Sequence, residues 1–300
     1  CAIALIIGGV SGLIFSVIRN SIGFEMPVIM DTTLFNIKSA ATPLAFLILG
    51  GDLKFGNMLR NVKFSFLSVL GKTVLIPDEK AIARVNENMS GVDLIVGIGS
   101  GVIQDLCKYV SFFSGVPYYV VATAPSMDGY ASTGAAMILD GMKVTVSAKV
   151  PEAIIADTAV LKDAPMEMIR AGYGDIIGKY SCLNDWKLSR VVNDEYFCQF
   201  VYDLTMEMVY RVKDSGEALK NRDPEAIQNL MEALIGVGIA MAYVGNSRPA
   251  SGSEHHLSHF FEITGILDNT DYFAHGIDVV YSATFLAKLR EKMIVKTLFL

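Results

Sequence analysis

Every histidine of the chain falls in one short segment, GSEHHLSHFFEITGILDNTDYFAH (252–275), as His255, His256, His259 and His275. Near neutral pH an imidazole is largely uncharged. It can ligate a divalent cation or carry a proton, provided that a partner on its second nitrogen fixes the tautomer. Glu254 stands immediately before the H-H-x-x-H run. On a helix His255 and His259 share a face, whereas His256 turns about 100° away. Ordinary surface histidines at a helix end would give the same pattern, so a carboxylate and a cofactor site are needed to make it a centre.

Asp175, in AGYGDIIGKY (171–180), is the candidate carboxylate, with glycines on either side and Lys179 one helical turn on. Asp175, His255 and His275 would together offer one oxygen and two nitrogens to a metal. Positions remain open for substrate and water, the arrangement of a catalytic site rather than a closed structural one.

Two loops could hold a nucleotide. The apolar run VDLIVGI (92–98) reads as a buried strand and runs into Gly99, Ser100 and Gly101 at the start of a helix. Missing Cβ atoms and unpaired helix-start N–H groups suit a pyrophosphate there. A tight strand-to-helix turn needs glycines for packing as well, and the acidic residue expected about twenty positions further on is not evident. Asp105, one turn into the helix, suits a backbone cap or a contact with the ribose or nicotinamide end. A second apolar run, PYYVVATA (117–124), leads into TAPSMDGYAS (123–132). There Thr123, Ser126 and Ser132 can bond a nucleotide and Asp128 a substrate hydroxyl, although Pro-Ser-Met-Asp-Gly also suits an ordinary turn. Consecutive strand ends at one sheet edge form one crevice.

The elements that must position these residues fall into two kinds. A helix over 77–89, strands over 92–98, 117–124 and 152–157, and helical stretches among them predict an α/β domain with a sheet covered on both faces over 72–164. Residues 165–300 carry no useful strand alternation and predict an all-helical domain. The glycines of 165–190 predict two helices meeting closely rather than one rod. Further helices are expected over 195–215, 224–243, 255–263 and 275–292, the second of these opened by Asp223 as cap and Pro224 in the first turn.

Residues 1–71 differ in character. Residues 1–70 hold only five Lys or Arg and three Asp or Glu, in a chain that is 52% hydrophobic with mean hydropathy +0.43. The uncharged run 1–18 and the apolar run 40–51 predict transmembrane helices, with Asp31 and Lys38 weakening the second. No basic start or cleavage site supports a signal peptide. A first residue of Cys points to a beginning further upstream. The net charge of −6, without a basic patch, argues against nucleic acid as partner. Cys1, Cys107, Cys182 and Cys198 show no C-x-x-C spacing and read as free thiols of a reducing, cytoplasmic compartment.

In order along the chain, GSGVIQDLCKYVSFFSGVPYYVVATAPSMDGYAS, APMEMIRAGYGDIIGKYSCLNDWKLS and SRPASGSEHHLSHFFE resemble the sn-glycerol-1-phosphate dehydrogenases. That family stands in the group of iron-containing alcohol dehydrogenases, glycerol dehydrogenase and dehydroquinate synthase, and the resemblance covers about residues 73–292. It implies an incomplete Rossmann-like domain followed by a helical metal-binding domain. Gly99, Ser100 and Gly101 would hold the phosphates of NAD or NADP, and Thr123, Ser126 and Ser132 would line the cofactor. Asp128 would contact substrate, Asp175, His255 and His275 would bind zinc or nickel, and His259 would lie beside the substrate. The implied reaction is hydride transfer between dihydroxyacetone phosphate and sn-glycerol 1-phosphate, with Lys179 and Arg248 as candidates for the substrate phosphate.

Glycerol or polyol dehydrogenase is the alternative within the group. DTTLFNIKSAATPLAFLILGGDLKF resembles the end of an auxin efflux carrier family permease, which raises a second alternative, an inactive membrane transporter fragment. A homodimer, and membrane contact through residues 1–70, are both compatible with these readings. The family has further strands before Lys72 and further helices after His275. The expectation is therefore a joined or truncated chain of impaired activity.

Overall fold

Leu94, Val96 and Ile98 recur at every second position and pack one strand face against Val121, with Tyr119 and Ile155 at the margin. The intervening Ile95 and Gly97 are buried too, so the strand is covered on both faces, as a parallel strand within a sheet must be. A computed structural model describes residues 45–50, 63–68, 76–268 and 273–298. The chain divides into a sheet-bearing unit, 1–124 with 129–164, and a helical unit, 125–128 with 165–300.

The sheet-bearing unit contains β1 (Ala45–Gly50), β2 (Lys63–Ser68), α1 (Glu79–Asn86), β3 (Leu94–Gly99), α2 (Gly101–Ser114) and β4 (Tyr118–Ala122). The hairpin β5 (Gly134–Leu139) and β6 (Met142–Ser147), β7 (Ala153–Ala156) and the short α3 (Thr158–Leu161) complete it. The main sheet has the order β2-β1-β3-β4-β7, with β3, β4 and β7 parallel and β1 antiparallel to both neighbours. At Gly97 a Cβ would run into the sulfur of Cys107, so this glycine lets α2 pack closely on β3.

Residues 45–50 correct the expected transmembrane helix over 40–51, because this segment is a strand of the sheet, paired on one side with the strand at 63–68. A short apolar run suits a buried strand as well as a helix, and periodicity alone does not separate them. The rest of 1–75, including the apolar run 1–18, lies outside the described residues. Among the described residues, the helix long and apolar enough to cross a membrane is Pro224–Val244, whose most apolar window is 67% buried.

The β5–β6 hairpin was not expected. Its turn, Asp140–Gly141, has φ of 52° and 73°, the left-handed pair that a two-residue hairpin turn requires. Behind it Lys108, fully buried, donates to the carbonyls of Gly129 and Gly134, each at 2.8 Å, and to Ser132 Oγ at 3.1 Å. Asp105 Oδ1 lies 3.7 Å from the same ammonium. Burial pushes the Asp105 carboxyl up to about 6 despite Lys108 and an N–H bond from Ala136.

The helical unit comprises α4 (Met166–Asn193), α5 (Gln199–Val212), α6 (Gly216–Lys220), α7 (Pro224–Val244), α8 (Ser253–Asp268) and α9 (His275–Leu298). Here α4 is one rod of 28 residues, correcting the expected pair of helices. Its glycines serve close approach by other segments instead. A Cβ at Gly172 would strike the Pro125 carbonyl, at Gly174 that of Gly276, and at Gly178 the side chain of Val279. Further along α4, Cys182, Leu183 and Trp186 form a core with Val201 and Ala240. At the start of α7 the Asp223 carboxylate accepts the N–H of Ala226 at 2.9 Å, with Pro224 in the first turn.

Two outcomes follow. Gly174→Ala should destabilise the protein by about 1–3 kcal/mol in urea unfolding, despite the better helix propensity of alanine. Gly216→Ala, whose new methyl would meet Tyr173 Oη at 3.5 Å, should be near neutral. Because the folded value of Asp105 lies above the unfolded one, ionisation penalises the folded state above about pH 6, and the penalty vanishes as the pH falls below about 4. Asp105→Asn should therefore stabilise at pH 8, by up to about 3 kcal/mol, and lose this advantage at pH 4.

Candidate functional site

Helix α4 brings Asp175 and Lys179, four residues apart, onto one face, and both are fully buried. An uncompensated carboxylate in that position would be costly. Lys179 Nζ donates to Asp175 Oδ1 at 2.6 Å, and the backbone N–H of Asp128 donates to Oδ2 at 3.0 Å. The same ammonium lies 2.6 Å from Asp128 Oδ2 and donates to the Ala250 carbonyl at 3.0 Å. Burial works against the Asp175 carboxylate, but the Lys179 charge, then His275 and His255, bring it down to about 2. Burial likewise lowers Lys179, but Asp128 and Asp175 outweigh it and raise the ammonium above its usual range.

His255, on α8, and His275, the first residue of α9, face this carboxylate. Ligand atoms of the three side chains lie within 4.8 Å of one another, and His255 Nε2 is 3.7 Å from Asp175 Oδ1. Each ring is oriented from behind. His255 Nδ1 meets Glu254 Oε1 at 2.7 Å, and His275 Nδ1 meets Glu262 Oε1 at 2.7 Å. Ionised carboxylates only accept, so the proton sits on Nδ1 and the Nε2 lone pair is left for a cation. Burial holds His255 below its ordinary value, against the pull of Glu254, and favours the neutral ligand form. Burial alone would raise Glu254, but its bond to His255, the charge of that imidazole and backbone N–H groups including that of Gly252 together hold it low. Two nitrogens and one oxygen so arranged fit a divalent cation, and Glu262, which also lies near His259, serves as the support of His275.

His259 places its ring 6.2 Å from that of His255 and 5.6 Å from that of His275. His256 is exposed and takes no part in the triad. The start of α8 is fixed by Asp185, whose Oδ2 accepts the N–H and hydroxyl of Ser253 at 2.8 and 2.6 Å, while Arg290 bonds its Oδ1. Sequence reasoning missed Asp185, Glu262 and Lys108. A Glu three positions after His259 was the one available signal, since a residue at that spacing shares the histidine face.

In the sheet-bearing unit β3 and β4 run parallel with Gly99 opposite Ala122, and Thr123 donates its N–H to the Gly99 carbonyl at 3.2 Å. The turn Gly99, Ser100 and Gly101 and the turn at Thr123 thus stand side by side, and the Ser100 hydroxyl does not cap α2. Ser132 and Asp105 point into the protein: the Ser132 hydroxyl bonds the Gly129 and Gly134 carbonyls, and Asp105 faces Lys108. Ser126, half-buried, and Asp128 belong to the segment that packs with the helical unit. The two candidates for a substrate phosphate are already engaged. Lys179 holds its two carboxylates, and Arg248 forms a fork on Glu195 at 2.5 and 2.6 Å.

The sequence profile of the iron-containing alcohol dehydrogenases matches residues 54–165. A glycerol-1-phosphate dehydrogenase (NAD(P)+) of Geobacillus thermodenitrificans (strain NG80-2) is 39% identical over 215 residues, or 71% of this chain and 53% of that protein. The corresponding enzyme of Halalkalibacterium halodurans is 33% identical over 275 residues, or 90% of this chain and 69% of that protein. The chain spans about half the length of the Geobacillus relative. Glycerol dehydrogenase from Schizosaccharomyces pombe shares the fold at a TM-score of 0.59 and 17% identity, over 72% of this chain and 57% of that one. With more than two thirds of the Halalkalibacterium protein matched at 33% identity, the chain belongs to the glycerol-1-phosphate dehydrogenase family of iron-containing alcohol dehydrogenases.

Proposed function

We propose that the chain catalyses metal-dependent, reversible hydride transfer between NADH or NADPH and dihydroxyacetone phosphate, giving sn-glycerol 1-phosphate. The observation that carries this reading is the convergence of Asp175, His255 and His275, with a glutamate fixing each imidazole. These three residues would hold the cation, zinc or nickel. When bound, it supplies Lewis acidity at the substrate carbonyl and at the oxygen that gains charge as hydride reaches the adjacent carbon.

The chain's own residues do the rest. His259, whose ring lies near both ligand rings, is the proposed donor of the proton that turns the product oxygen into a hydroxyl, and its acceptor in the oxidation direction. Asp128 is the proposed contact for a substrate hydroxyl, held in register by its backbone bond to Asp175. Gly99, Ser100 and Gly101 form the proposed pyrophosphate cradle, with Thr123 alongside and Ser126 further along the same loop. Ser132 and Asp105 act through the shape of the loop that Lys108 gathers. Cys107 and Cys182 are free and buried, in keeping with a cytoplasmic setting.

A second reading is a polyol dehydrogenase acting on an unphosphorylated substrate. It is favoured by the engagement of Lys179 and Arg248 with carboxylates, which leaves neither ready for a phosphate.

NADH oxidation with dihydroxyacetone phosphate and with dihydroxyacetone tests the two readings together. The first expects at least tenfold higher kcat/KM for the phosphorylated substrate and loss of turnover on chelation. Equal rates, or a preference for dihydroxyacetone, would favour the second. Independently of turnover, His275→Ala should abolish stoichiometric zinc binding in equilibrium dialysis. Glu262→Gln should retain it with affinity lowered about 10–100-fold, the usual effect of losing a carboxylate behind a ligand histidine.

A further inference from the structure

Lys179, fully buried, touches the proposed centre, and the proposed hydride transfer gives it no role. Its ammonium contacts two carboxylates, Asp175 Oδ1 and Asp128 Oδ2, both at 2.6 Å, and the carbonyl of Ala250 at 3.0 Å. Its side chain has no exposure to solvent, so water does not screen these contacts. Lys179 therefore already neutralises the carboxylate that a metal needs.

Two physical effects could follow, and they have opposite signs. If Lys179 served mainly to orient Asp175, its removal would loosen the donor set and weaken a bound cation. If it acted mainly through its charge, removal would relieve repulsion between two neighbouring cations and strengthen binding. The geometry favours the second. Asp175 has another anchor, because the Asp128 N–H holds its Oδ2 at 3.0 Å and would remain after loss of the lysine. Asp175 also lies in the interior of a 28-residue helix, fixed by packing on either side. Nothing comparable replaces the lost charge.

We propose that Lys179 is a charge-setting residue of the metal centre, whose ammonium competes with the bound cation for Asp175 and is itself held off by Asp128. The Asp128 carboxylate shares the ammonium, reducing its grip on the ligand. Lys179 lowers cation affinity and Asp128 raises it, and the pair sets the affinity through net charge rather than through the donor list. This rests on the reading of Asp175, His255 and His275 as the ligands.

The test is zinc titration against a chromophoric chelator, with folding of each variant checked by circular dichroism. The parent must bind one equivalent of zinc, lost in His275→Ala. Failure of that control removes the metal reading itself and the present proposal with it. Given the control, Lys179→Met should bind zinc at least tenfold more tightly, equivalent to about 1.4 kcal/mol. Lys179→Arg, which keeps the charge, should show no such gain. Asp128→Asn, which leaves Lys179 to Asp175 alone, should bind at least tenfold more weakly. The double variant should fall between the two. A merely structural lysine would give weaker binding in every variant, and weaker or unchanged binding in folded Lys179→Met overturns the proposal. If Lys179→Met does not fold, Asp128→Asn decides, and affinity equal to or above that of the parent overturns it.

Discussion

A fully buried, ionised carboxylate has to be compensated from several directions at once, and Asp175 sets that requirement for the helical unit. Its compensation comes from a lysine one turn along the same helix, a backbone N–H from the loop at 125–128, and two imidazoles on α8 and at the start of α9. Each compensating group is itself pinned. The lysine is held by Asp128 and Ala250, and the imidazoles by Glu254 and Glu262. Polar groups in such a network are stabilising when all are satisfied and costly when one is removed, so the site and the packing around it are specified together.

Helix packing makes this convergence possible. Gly172, Gly174 and Gly178 remove the side chains that would keep the Pro125 segment and the first turns of α9 away from α4. A glycine in a helix interior costs about 1 kcal/mol relative to alanine, so three in so short a stretch need a local return. The return is the short reach from Asp175 to His275 and to the backbone of Asp128. The Asp185–Ser253 contact and the Arg290 fork hold the start of α8 so that His255 meets the same point.

Much of the centre was legible because metal chemistry restricts residue type. All four histidines lay in one segment, and their spacing separated His255 and His259 from His256. The buried parallel strands were legible from their shortness and their glycine-rich ends, as in VDLIVGI before Gly99, because an apolar run so brief and so bounded suits a strand better than a helix. What spacing did not reveal was dependent on tertiary partners. Lys179 reads in sequence as a candidate for the substrate phosphate one helical turn from Asp175, and only burial against Asp175 and Asp128 turns it into a counter-ion. Lys108 is hidden in the same way, since the carbonyls it gathers lie at Gly129 and Gly134. The glycines of α4 suggested a break because propensity argues for one, whereas close packing allows the helix to continue. The Asp140–Gly141 hairpin carries a local signal, Asp-Gly between two strand-forming runs, in a place where an α/β pattern calls for a helix between strands.

The apolar segment near the beginning of the chain shows how one composition serves two environments. A run such as LAFLILG can satisfy its backbone within a helix or by pairing with neighbours, and its side chains do not distinguish the two. Here the partner decides. Leu49 pairs with Leu94 and Ala45 with Ile98, so β1 lies antiparallel along β3 and β2 lies outside it. Without β1 the outer edge of β3 would expose a row of N–H and C=O groups leading up to the Gly99 turn. Pairing removes that edge and stiffens the strand from which the turn springs. β1 therefore supports the strand that ends at Gly99, and with it the backbone of Gly99 to Gly101, the proposed pyrophosphate cradle.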